Sequence, residues 1–252
     1  MKVVDVNQLN LHSGQADDLA ETIVDSNKQE VLEILYNGLP DIGRFARDTI
    51  VGKSKYVQLA YKYNYNHYRL LRYSEIQRLG LNNKLDTYVR RFVARHGACI
   101  AIMNTVDSKP ISCVFRSLEE KEFLDYSFIR AFYGTDLLDE NFHYGDILIL
   151  TEGQYDADAI RPIYKNVLAM GTSNVSLFQA TILNTMTNRF ICAFDNDNAG
   201  KTGYQSALNK LPYVARLRPY LNDKDVGMIE EQEDLERRQY YESSIMSLVL
   251  SP

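Results

Sequence analysis

The sequence predicts an α/β protein in which a parallel sheet flanked by helices follows a smaller, basic α+β region and an N-terminal helical segment. Three observations support this prediction. From about residue 144, short apolar runs alternate with helix-like segments, which is typical of strands joined by right-handed crossovers. Two adjacent apolar runs before that point indicate a β-hairpin. Nearer the N-terminus, apolar residues recur at helical spacing in two segments.

Composition limits the class of protein. The 252 residues are 45% hydrophobic, enough to bury a core in one large domain or two small ones. No apolar run approaches the roughly 18 residues of a membrane span, and the N-terminus lacks the apolar stretch of a secretory signal. Three scattered cysteines do not form a disulfide framework, so we expect a reducing, cytoplasmic location. Cysteines and histidines also lack zinc-ligand spacing, so we expect no zinc.

The net charge of −5 conceals a strong asymmetry. Residues 53–95 contain ten basic and two acidic side chains, a net charge of +8, so the remaining residues carry −13. A basic block in an acidic chain indicates contact with a polyanion on one face. A solvated helical surface explains the same charges equally well.

Before residue 135, the sequence predicts two helices and a hairpin. "DSNKQEVLEILYNGL" and "NKLDTYVRRFVARHG" have apolar residues at helical spacing, and Gly97 closes the second helix. "ACIAIMN" and "ISCVFRS" predict the two strands of the hairpin, joined by a loop with turn-forming residues.

After residue 144, strands and helices alternate. "DILILT" predicts a buried strand, followed by a helix over about 155–165 that Pro162 kinks or shortens. The later elements are strand "VLAM", helix "LFQATILNTM", strand "RFICAF", helix "AGKTGYQSALNKL", strand "ARLRPY" and a charged helix from about Val226. The predicted regions are residues 1–52 (helical segment), 53–143 (basic α+β), 144–230 (parallel sheet) and 231–252 (helical tail).

Carboxylates follow three of the four predicted parallel strands. These residues are Glu152, then Asp195 and Asp197, then Asp223 and Asp225. The remaining strand is followed by the small turn 171–173. Because the carboxyl ends of parallel strands meet at one edge of a sheet, we expect these carboxylates to converge there. Such a set of oxygens suits one or two Mg²⁺ ions, with substrate phosphates as further ligands.

The stretch around Asp195 has several competing interpretations. A P-loop requires glycine at position 195, which is aspartate, and a calcium loop requires ligands where Ala199 and Ser206 stand. A haloacid-dehalogenase-like phosphatase is a poorer alternative, because its aspartate pair normally follows the first strand of the sheet. A lone Asp-x-Asp pair would most often cap the next helix. The joint placement with Glu152 favours a metal site.

The four motifs, in this order, resemble the Toprim domain, and most closely the version in DnaG-type and related phage DNA primases. The resemblance covers about residues 144–230. The matching residues are Glu152, Gly153 and Asp156 after the first strand, Gly171, Thr172 and Ser173 after the second, Asp195, Asp197, Ala199 and Gly200 after the third, and Lys224-Asp225 with Asp223 after the last. The segment before this domain is similar to the small mixed subdomain of bacterial primases, with Arg116 in its arginine position and Tyr133-Gly134 at its end. It departs from that pattern at Lys121-Glu122, and Arg130 matches the later basic position only loosely.

The resemblance implies RNA primer synthesis on single-stranded DNA from ribonucleoside triphosphates, with Mg²⁺ or Mn²⁺. It implies a catalytic set of Glu152, Asp195 and Asp197, and a metal set that adds Asp223 and Asp225. Gly153, Asp156, Gly171 and Gly200 are expected to support the site. Expected nucleotide contacts are Arg116, Arg130 and Lys201, although Lys201 is equally explained as a solvated first-turn residue. Expected DNA contacts are Lys62, Arg69, Arg72, Arg90, Arg91 and Arg95, interleaved with tyrosines on which bases stack.

The sequence offers neither a zinc module nor the length for a helicase-binding domain. We therefore expect a catalytic core fragment, or a compact viral or plasmid primase, that works with a replicative helicase and a separate zinc-binding protein. Two alternatives use the same residues: a Toprim-type metal-dependent nuclease, and a non-catalytic nucleic-acid-binding replication subunit. A topoisomerase is disfavoured because these 252 residues leave no room for strand-passage domains.

Overall fold

The computed structural model describes residues 26–127 and 132–217, which form two four-stranded sheets with helices around them. The first sheet is antiparallel, in the order β1-β2-β3-β4. The second is parallel, in the order β6-β5-β7-β8. The strands are β1 (Tyr68–Arg72), β2 (Ala98–Val106), β3 (Lys109–Ser117), β4 (Phe123–Ser127), β5 (Ile147–Thr151), β6 (Val167–Ala169), β7 (Arg189–Ala193) and β8 (Tyr213–Arg216).

Helices cover both sheets. They are α1 (Ser26–Gly38), α2 (Lys55–Tyr63), α3 (Tyr73–Arg78), α4 (Thr87–His96), α5 (Gln154–Ile160), α6 (Leu177–Met186) and α7 (Asn198–Leu208). Short 3₁₀ helices span Ile42–Phe45, Val51–Lys53 and Thr135–Leu137. Across the described parts of the chain, no helix has both the length and the apolar character needed to cross a bilayer.

The second sheet confirms the predicted fold class. Its strands are all parallel, and α5, α6 and α7 connect them in turn. Helix α5 ends at Ile160, just before Pro162, because proline has no N–H to continue the helix. The predicted charged helix from Val226 lies outside the described residues.

The predicted hairpin is also confirmed, with a two-residue turn at its tip. Asp107 and Ser108 have φ angles of 50° and 62°. Positive φ at both central residues matches the twist of the flanking strands. The Asp136 carboxylate accepts hydrogen bonds from both turn N–H groups at 2.8 Å. The tip of the hairpin is therefore attached to the segment that leads into the second sheet.

The strands alternate between two buried faces, as period-two side-chain geometry requires. In β2, Ile100 and Ile102 face the second sheet, whereas Cys99, Ala101 and Met103 face α1, α3 and α4. In the second sheet, odd and even positions divide in the same way between the first sheet and helices α6 and α7. The molecule therefore has three apolar layers, of which the central one is shared.

The shared layer joins the two sheets into one packed unit. Val57 and Tyr68 reach it from the first region, and Ile149 and Ile191 from the second, all at most 1% exposed. Helix α2 packs against α5 inside this layer. Apolar contacts cross the junction between the two regions throughout this layer. The domain limits expected from the sequence stay a prediction.

Two strands of the first sheet were not predicted. Strand β1 lies in the tyrosine- and arginine-rich segment, and it buries Tyr68, Leu70 and Leu71 while its two arginines are partly exposed. Strand β4 buries only Tyr126 among its five residues. Each segment has five residues, two of them polar, and no regular alternation, so its strand character comes from pairing with β2 or β3.

A buried carboxylate connects the two regions through four side chains. Asp158, on α5, has no exposed surface. His67 Nε2 lies 2.8 Å from its Oδ2, and Arg161 Nε donates to Oδ1 at 3.1 Å. Tyr133 donates its hydroxyl to Oδ2 at 2.5 Å, and Tyr68 donates to the same oxygen. We call these five residues the Asp158 network.

Charge and hydrogen bonds keep this carboxylate ionised. Burial alone raises the pKa of Asp158, but the charge and hydrogen bond of His67, the Arg161 guanidinium and the Tyr133 hydroxyl outweigh it and hold the pKa below its usual range. Burial and the Asp158 charge raise the pKa of both Tyr68 and Tyr133 well above the ordinary value, so both remain neutral donors.

The network also fixes the segment between the sheets. Tyr133 exchanges two backbone hydrogen bonds of 3.0 Å with Ala169 of β6. The side chain of Tyr133 contacts α5, and Asn104 of β2 donates to the carbonyl of Phe132 at 2.7 Å. Strand β1, this connecting segment, α5 and β6 are therefore held in one arrangement.

Removing the central carboxylate tests its contribution to stability. We expect Asp158→Ala to lower the free energy of unfolding by about 3–5 kcal/mol, because it leaves the buried Arg161 guanidinium without its counter-ion and removes the hydrogen-bond partner of His67. Glu30→Gln is the control, since Glu30 pairs with Lys84 at the surface and its loss costs less than about 1 kcal/mol. Urea unfolding at neutral pH measures both; similar losses would contradict the assigned role.

Candidate metal and nucleotide site at the strand ends

Glu152 is the residue at which three strand ends meet. It follows β5 directly and is half-buried. Its Oε1 accepts a hydrogen bond of 3.2 Å from the backbone N–H of Asp195, beyond β7. Its backbone carbonyl accepts one of 3.0 Å from the N–H of Gly171, beyond β6. The structure thus brings together the predicted acids of the first and third strands.

Asp197 both caps a helix and lies beside this group. Its Oδ1 accepts a 2.9 Å hydrogen bond from the N–H of Gly200, in the first turn of α7. The helix-cap interpretation of the Asp-x-Asp pair is therefore correct for Asp197. It does not exclude metal binding, because capping occupies one oxygen of the carboxylate.

Glycines allow α7 to approach the strand ends closely. A Cβ on Gly200 would lie 2.0 Å from the carbonyl oxygen of Asp195. A Cβ on Gly203 would lie 2.1 Å from the carbonyl oxygen of Ser173. Gly171 has a φ of 69°, the left-handed conformation that favours glycine. The expected supporting roles of Gly171 and Gly200 thus have a steric basis here.

The acids at this edge repel one another. Burial raises the pKa of Glu152, and the charges of Asp195 and Asp197 raise it further, against the hydrogen bond from the Asp195 N–H. A divalent cation would relieve this repulsion. All donors in the set are carboxylate oxygens, the ligand type that Mg²⁺ and Mn²⁺ prefer. The residues present therefore fit the predicted metal.

Arg116 and Tyr56 form a cation–aromatic pair close to the first turn of α5. Arg116 of β3 places its guanidinium 5.1 Å from the centre of the Tyr56 ring. Burial raises the pKa of Tyr56 to about 12, with Arg116 lowering it and Asp156 and Tyr155 raising it. The Tyr56 phenol therefore lies within electrostatic range of Arg116, in the first sheet, and of two residues in the first turn of α5. The nucleotide contact expected of Arg116 stays a prediction.

The remaining predicted site residues lie partly at the starts of α5 and α7 and partly outside the described residues. Gly153 precedes α5, where a Cβ would lie 3.2 Å from Oδ2 of Asp156 in the first turn of that helix. Lys201 is exposed in the first turn of α7, as both of its interpretations require. Three predicted residues lie outside the described part of the chain: Arg130, Asp223 and Asp225.

The predicted DNA contacts do not share one face. Lys62 is exposed on α2, which packs on the inner face of the first sheet. Arg90, Arg91 and Arg95 belong to α4, which packs on the outer face. Arg69 and Arg72 lie on β1, stacked against Tyr36 and Phe45. The charge count gave one basic block, whereas the fold distributes it around the sheet.

The tyrosines of the basic segment also divide between core and surface. Tyr68 is fully buried, and Tyr65 packs against the shared layer while donating a hydrogen bond to the Asp158 carbonyl. Tyr61 and Tyr73 are 57% and 43% exposed. Only the exposed rings present a face on which a nucleic-acid base could stack.

A second group of ligand-type side chains lies on the first sheet. Within the described residues, His96, Glu120 and Glu122 are the one set of three such side chains whose ligand atoms all lie within 4.8 Å of one another; those of Glu152, Asp195 and Asp197 lie farther apart. His96 Nδ1 lies 3.5 Å from Glu120 and its Nε2 lies 3.4 Å from Glu122. The Arg95 guanidinium pairs with Glu122, so a cation already occupies this group. We assign no metal to it.

Sequence reasoning missed Asp158, Lys55 and Tyr155. Asp158 lies among the apolar residues Ala157, Ala159 and Ile160 of a short helix, and this position indicates a buried carboxylate. Arg161, three residues later, supports that signal. Lys55 and Tyr155 had no comparable signal, because their contact joins α2 to α5 across 100 residues.

Comparison with a protein-family model agrees with the Toprim resemblance of the sequence motifs. Residues 149–229 match the family model described as Toprim-like. No curated protein matches the chain.

Solved structures match over most of the chain. The DnaG primase catalytic domain bound to ssDNA has a TM-score of 0.61 and 14% identity, covering 84% of this chain and 78% of that one. The Aquifex aeolicus primase, with zinc-binding and RNA polymerase domains, gives 0.57 and 18%, covering 89% and 66%. The RNA polymerase domain of Mycobacterium tuberculosis primase DnaG gives 0.57 and 15%, covering 89% and 84%.

These matches define the class to which the fold belongs. The chain contains a Toprim-like domain. Together with the antiparallel sheet before it, this domain reproduces the fold of DnaG primase catalytic cores. The resemblance seen in the sequence motifs is confirmed.

Glu152→Gln tests the repulsion at the strand ends. Because the pKa of Glu152 is raised by folding, its ionisation costs stability once the pH exceeds the ordinary value of 4.5. We therefore expect the variant, in EDTA at pH 7, to unfold at a higher urea concentration than the wild type. The difference should vanish as the pH falls below 4.5, and Mg²⁺ should stabilise the wild type more than the variant.

Glu140→Gln is the matched control for this measurement, since Glu140 is exposed and distant in sequence from the strand ends. A Glu152→Gln protein that is less stable than the wild type in EDTA would show that the carboxylates do not repel.

Gly200→Ala tests the close approach of α7. Alanine favours a helix by about 1 kcal/mol over glycine. Its Cβ would nevertheless overlap the Asp195 carbonyl, so we expect a net loss of about 1–3 kcal/mol in urea unfolding. Thr202→Ala, at an exposed position of the same helix, should change stability little. Equal stability of the two variants would contradict the predicted overlap.

Proposed function

We propose that this protein is a DNA primase catalytic core that synthesises short RNA primers on single-stranded DNA by metal-dependent nucleotidyl transfer. The observation that carries the proposal is the placement of Glu152, Asp195 and Asp197 within electrostatic range of one another at the strand ends of a Toprim-like domain. Arg116 of the adjoining sheet lies against Tyr56, which packs in the shared layer. Phosphoryl transfer needs mainly positioning and charge neutralisation, and this edge offers both.

Glu152, Asp195 and Asp197 would hold one or more Mg²⁺ or Mn²⁺ ions, with Asp223 and Asp225 as further candidate ligands. Bound there, the metal supplies activation of the primer 3′-hydroxyl and stabilisation of the leaving pyrophosphate. The chain's own contribution is orientation. The Asp195 N–H holds one oxygen of Glu152, and the cap at Gly200 holds one oxygen of Asp197, so the orientation of each carboxylate is restricted.

The cationic side neutralises the phosphates of the incoming nucleotide. Arg116 presents a planar fork of donors that suits phosphate oxygens. Its contact with Tyr56, which is 6% exposed, restricts the conformations of the guanidinium before substrate arrives. Lys201 and Arg130 are weaker candidates for the same task.

Template binding uses the first region. Exposed Tyr61 and Tyr73 offer ring faces to bases, and Lys62 and Arg72 lie next to them in sequence. The arginines of α4 lie on the outer face and would contact the template only where it wraps around the sheet. The DnaG structure similar to this chain contains ssDNA, which supports this class of ligand.

The proposed partners follow from the resemblance. A replicative helicase and a separate zinc-binding protein would supply DNA unwinding and template recognition in the cytoplasm. The similar Aquifex aeolicus primase includes a zinc-binding domain in its own structure.

The double variant Asp195→Asn, Asp197→Asn tests the proposal. We expect Mg²⁺-dependent incorporation of ribonucleotides on single-stranded DNA to fall at least about 100-fold, because second-shell changes alone cost up to that factor. Asparagine caps helices as well as aspartate does, so the fold should persist. Binding of labelled single-stranded DNA, followed by fluorescence anisotropy, should stay close to that of the wild type.

Three outcomes would overturn parts of this proposal. Primer synthesis by the double variant would show that the metal site is misassigned. Cleavage of DNA by the wild type without ribonucleotide incorporation would indicate a Toprim-type nuclease. Binding of DNA with neither reaction would indicate a non-catalytic replication subunit.

A further inference from the structure

Lys55 occupies a position that the sequence did not single out. It is the first residue of α2 and is exposed. Its Nζ lies 3.6 Å from the centre of the Tyr155 ring and 5.9 Å from that of Tyr56. An ammonium group at this distance is attracted by the face of the aromatic ring. The side chain is therefore directed towards Tyr155 of α5.

The Tyr155 ring that holds this ammonium belongs to the strand-end edge. Tyr155 lies in the first turn of α5, between Glu152 and Asp156 in sequence. Its ring meets that of Tyr56 edge to face, with centres 5.4 Å apart. Tyr56 is almost completely buried in the shared layer, so Tyr155 rests on a fixed surface. Lys55 is thereby placed beside the first turn after Glu152.

Arg116 lies against the same buried tyrosine. Its guanidinium is 5.1 Å from the Tyr56 ring, and Lys55 approaches that ring as well. Two cations from separate elements, α2 and β3, thus lie around Tyr56 beside an edge lined by carboxylates. A triphosphate bound to metal at such an edge retains negative charge on its far side, and cations there neutralise it.

Lys55 lies against the Tyr155 ring of α5, whereas the predicted DNA contact Lys62 lies against a ring of its own helix. Lys62, on the same helix, has its Nζ 4.9 Å from the centre of the Tyr63 ring. A lysine is a mobile point charge and follows phosphate oxygens that move during transfer, whereas arginine holds a fixed pair. The two cations near Tyr56 therefore suit different oxygens of one triphosphate.

We propose that Lys55, held on the face of Tyr155, contacts the triphosphate of the incoming nucleotide at the strand-end site, together with Arg116. This inference rests on the proposed nucleotidyl transfer, because it assigns a residue to that reaction's substrate.

The test is direct titration of the full chain with ATP in the presence of Mg²⁺, followed by calorimetry. We expect Lys55→Ala to raise the Kd for Mg²⁺-bound ATP about tenfold, as loss of one charge-assisted phosphate contact implies. Lys55→Arg should recover most of the affinity because it retains the charge. Lys109→Ala, an exposed lysine at the tip of the hairpin, should leave the Kd unchanged. Affinity for single-stranded DNA should not change in any of the three.

The outcomes separate this inference from the proposed function. Equal ATP affinity of the wild type and Lys55→Ala would overturn the role of Lys55, even if the wild type synthesises primers. No measurable ATP binding by the wild type would overturn it as well. Absence of primer synthesis would overturn the proposed function alone, because calorimetry needs no turnover. If Lys55→Arg loses as much ATP affinity as Lys55→Ala, the loss does not depend on the charge. That result would show a steric effect of the substitution and would contradict a charge contact.

Discussion

One buried carboxylate, that of Asp158, sets the relation between the two sheets. Apolar contacts in the shared layer supply most of the attraction, but they are not directional. Asp158 receives hydrogen bonds or charge from β1, from α5 itself and from Tyr133, which is paired to β6. A polar group without exposed surface cannot exchange these partners for water, so only one arrangement of the sheets satisfies it. Directional bonds thus select among the packings that burial alone would allow.

The candidate site depends on that arrangement at two points. Helix α5 starts two residues after Glu152, so the network that fixes α5 also restricts the first carboxylate of the set. Arg116 and Lys55 come from the other sheet and its helix, and both lie against Tyr56, which packs in the shared layer. The carboxylates lie within one domain, whereas the cations proposed to act with them come from across the shared layer.

The sequence predicted what depends on local pattern and motif. Crossover helices, the hairpin and a turn at the Asp-x-Asp pair all follow from short-range chemistry, and the structure has them. It did not predict β1, whose strand character comes from pairing with β2, or the burial of Asp158, whose partners lie up to 91 residues away. Nor could a charge count distinguish the two faces of a sheet, so Arg90 and Lys62 appeared as neighbours.

The long sequence separation within the Asp158 network has a consequence for folding. Tyr68 and Asp158 are 90 residues apart, whereas the β2–β3 hairpin closes over a two-residue turn. Local pairings form early and distant ones late, because closing a long loop costs entropy before contacts repay it. During synthesis, α2 and the antiparallel sheet emerge before α5, so the inner face of the sheet is covered only in part and His67 and Tyr68 lack their carboxylate partner. The uncovered part of that face stays open to water, and to other chains, until α5 has left the ribosome.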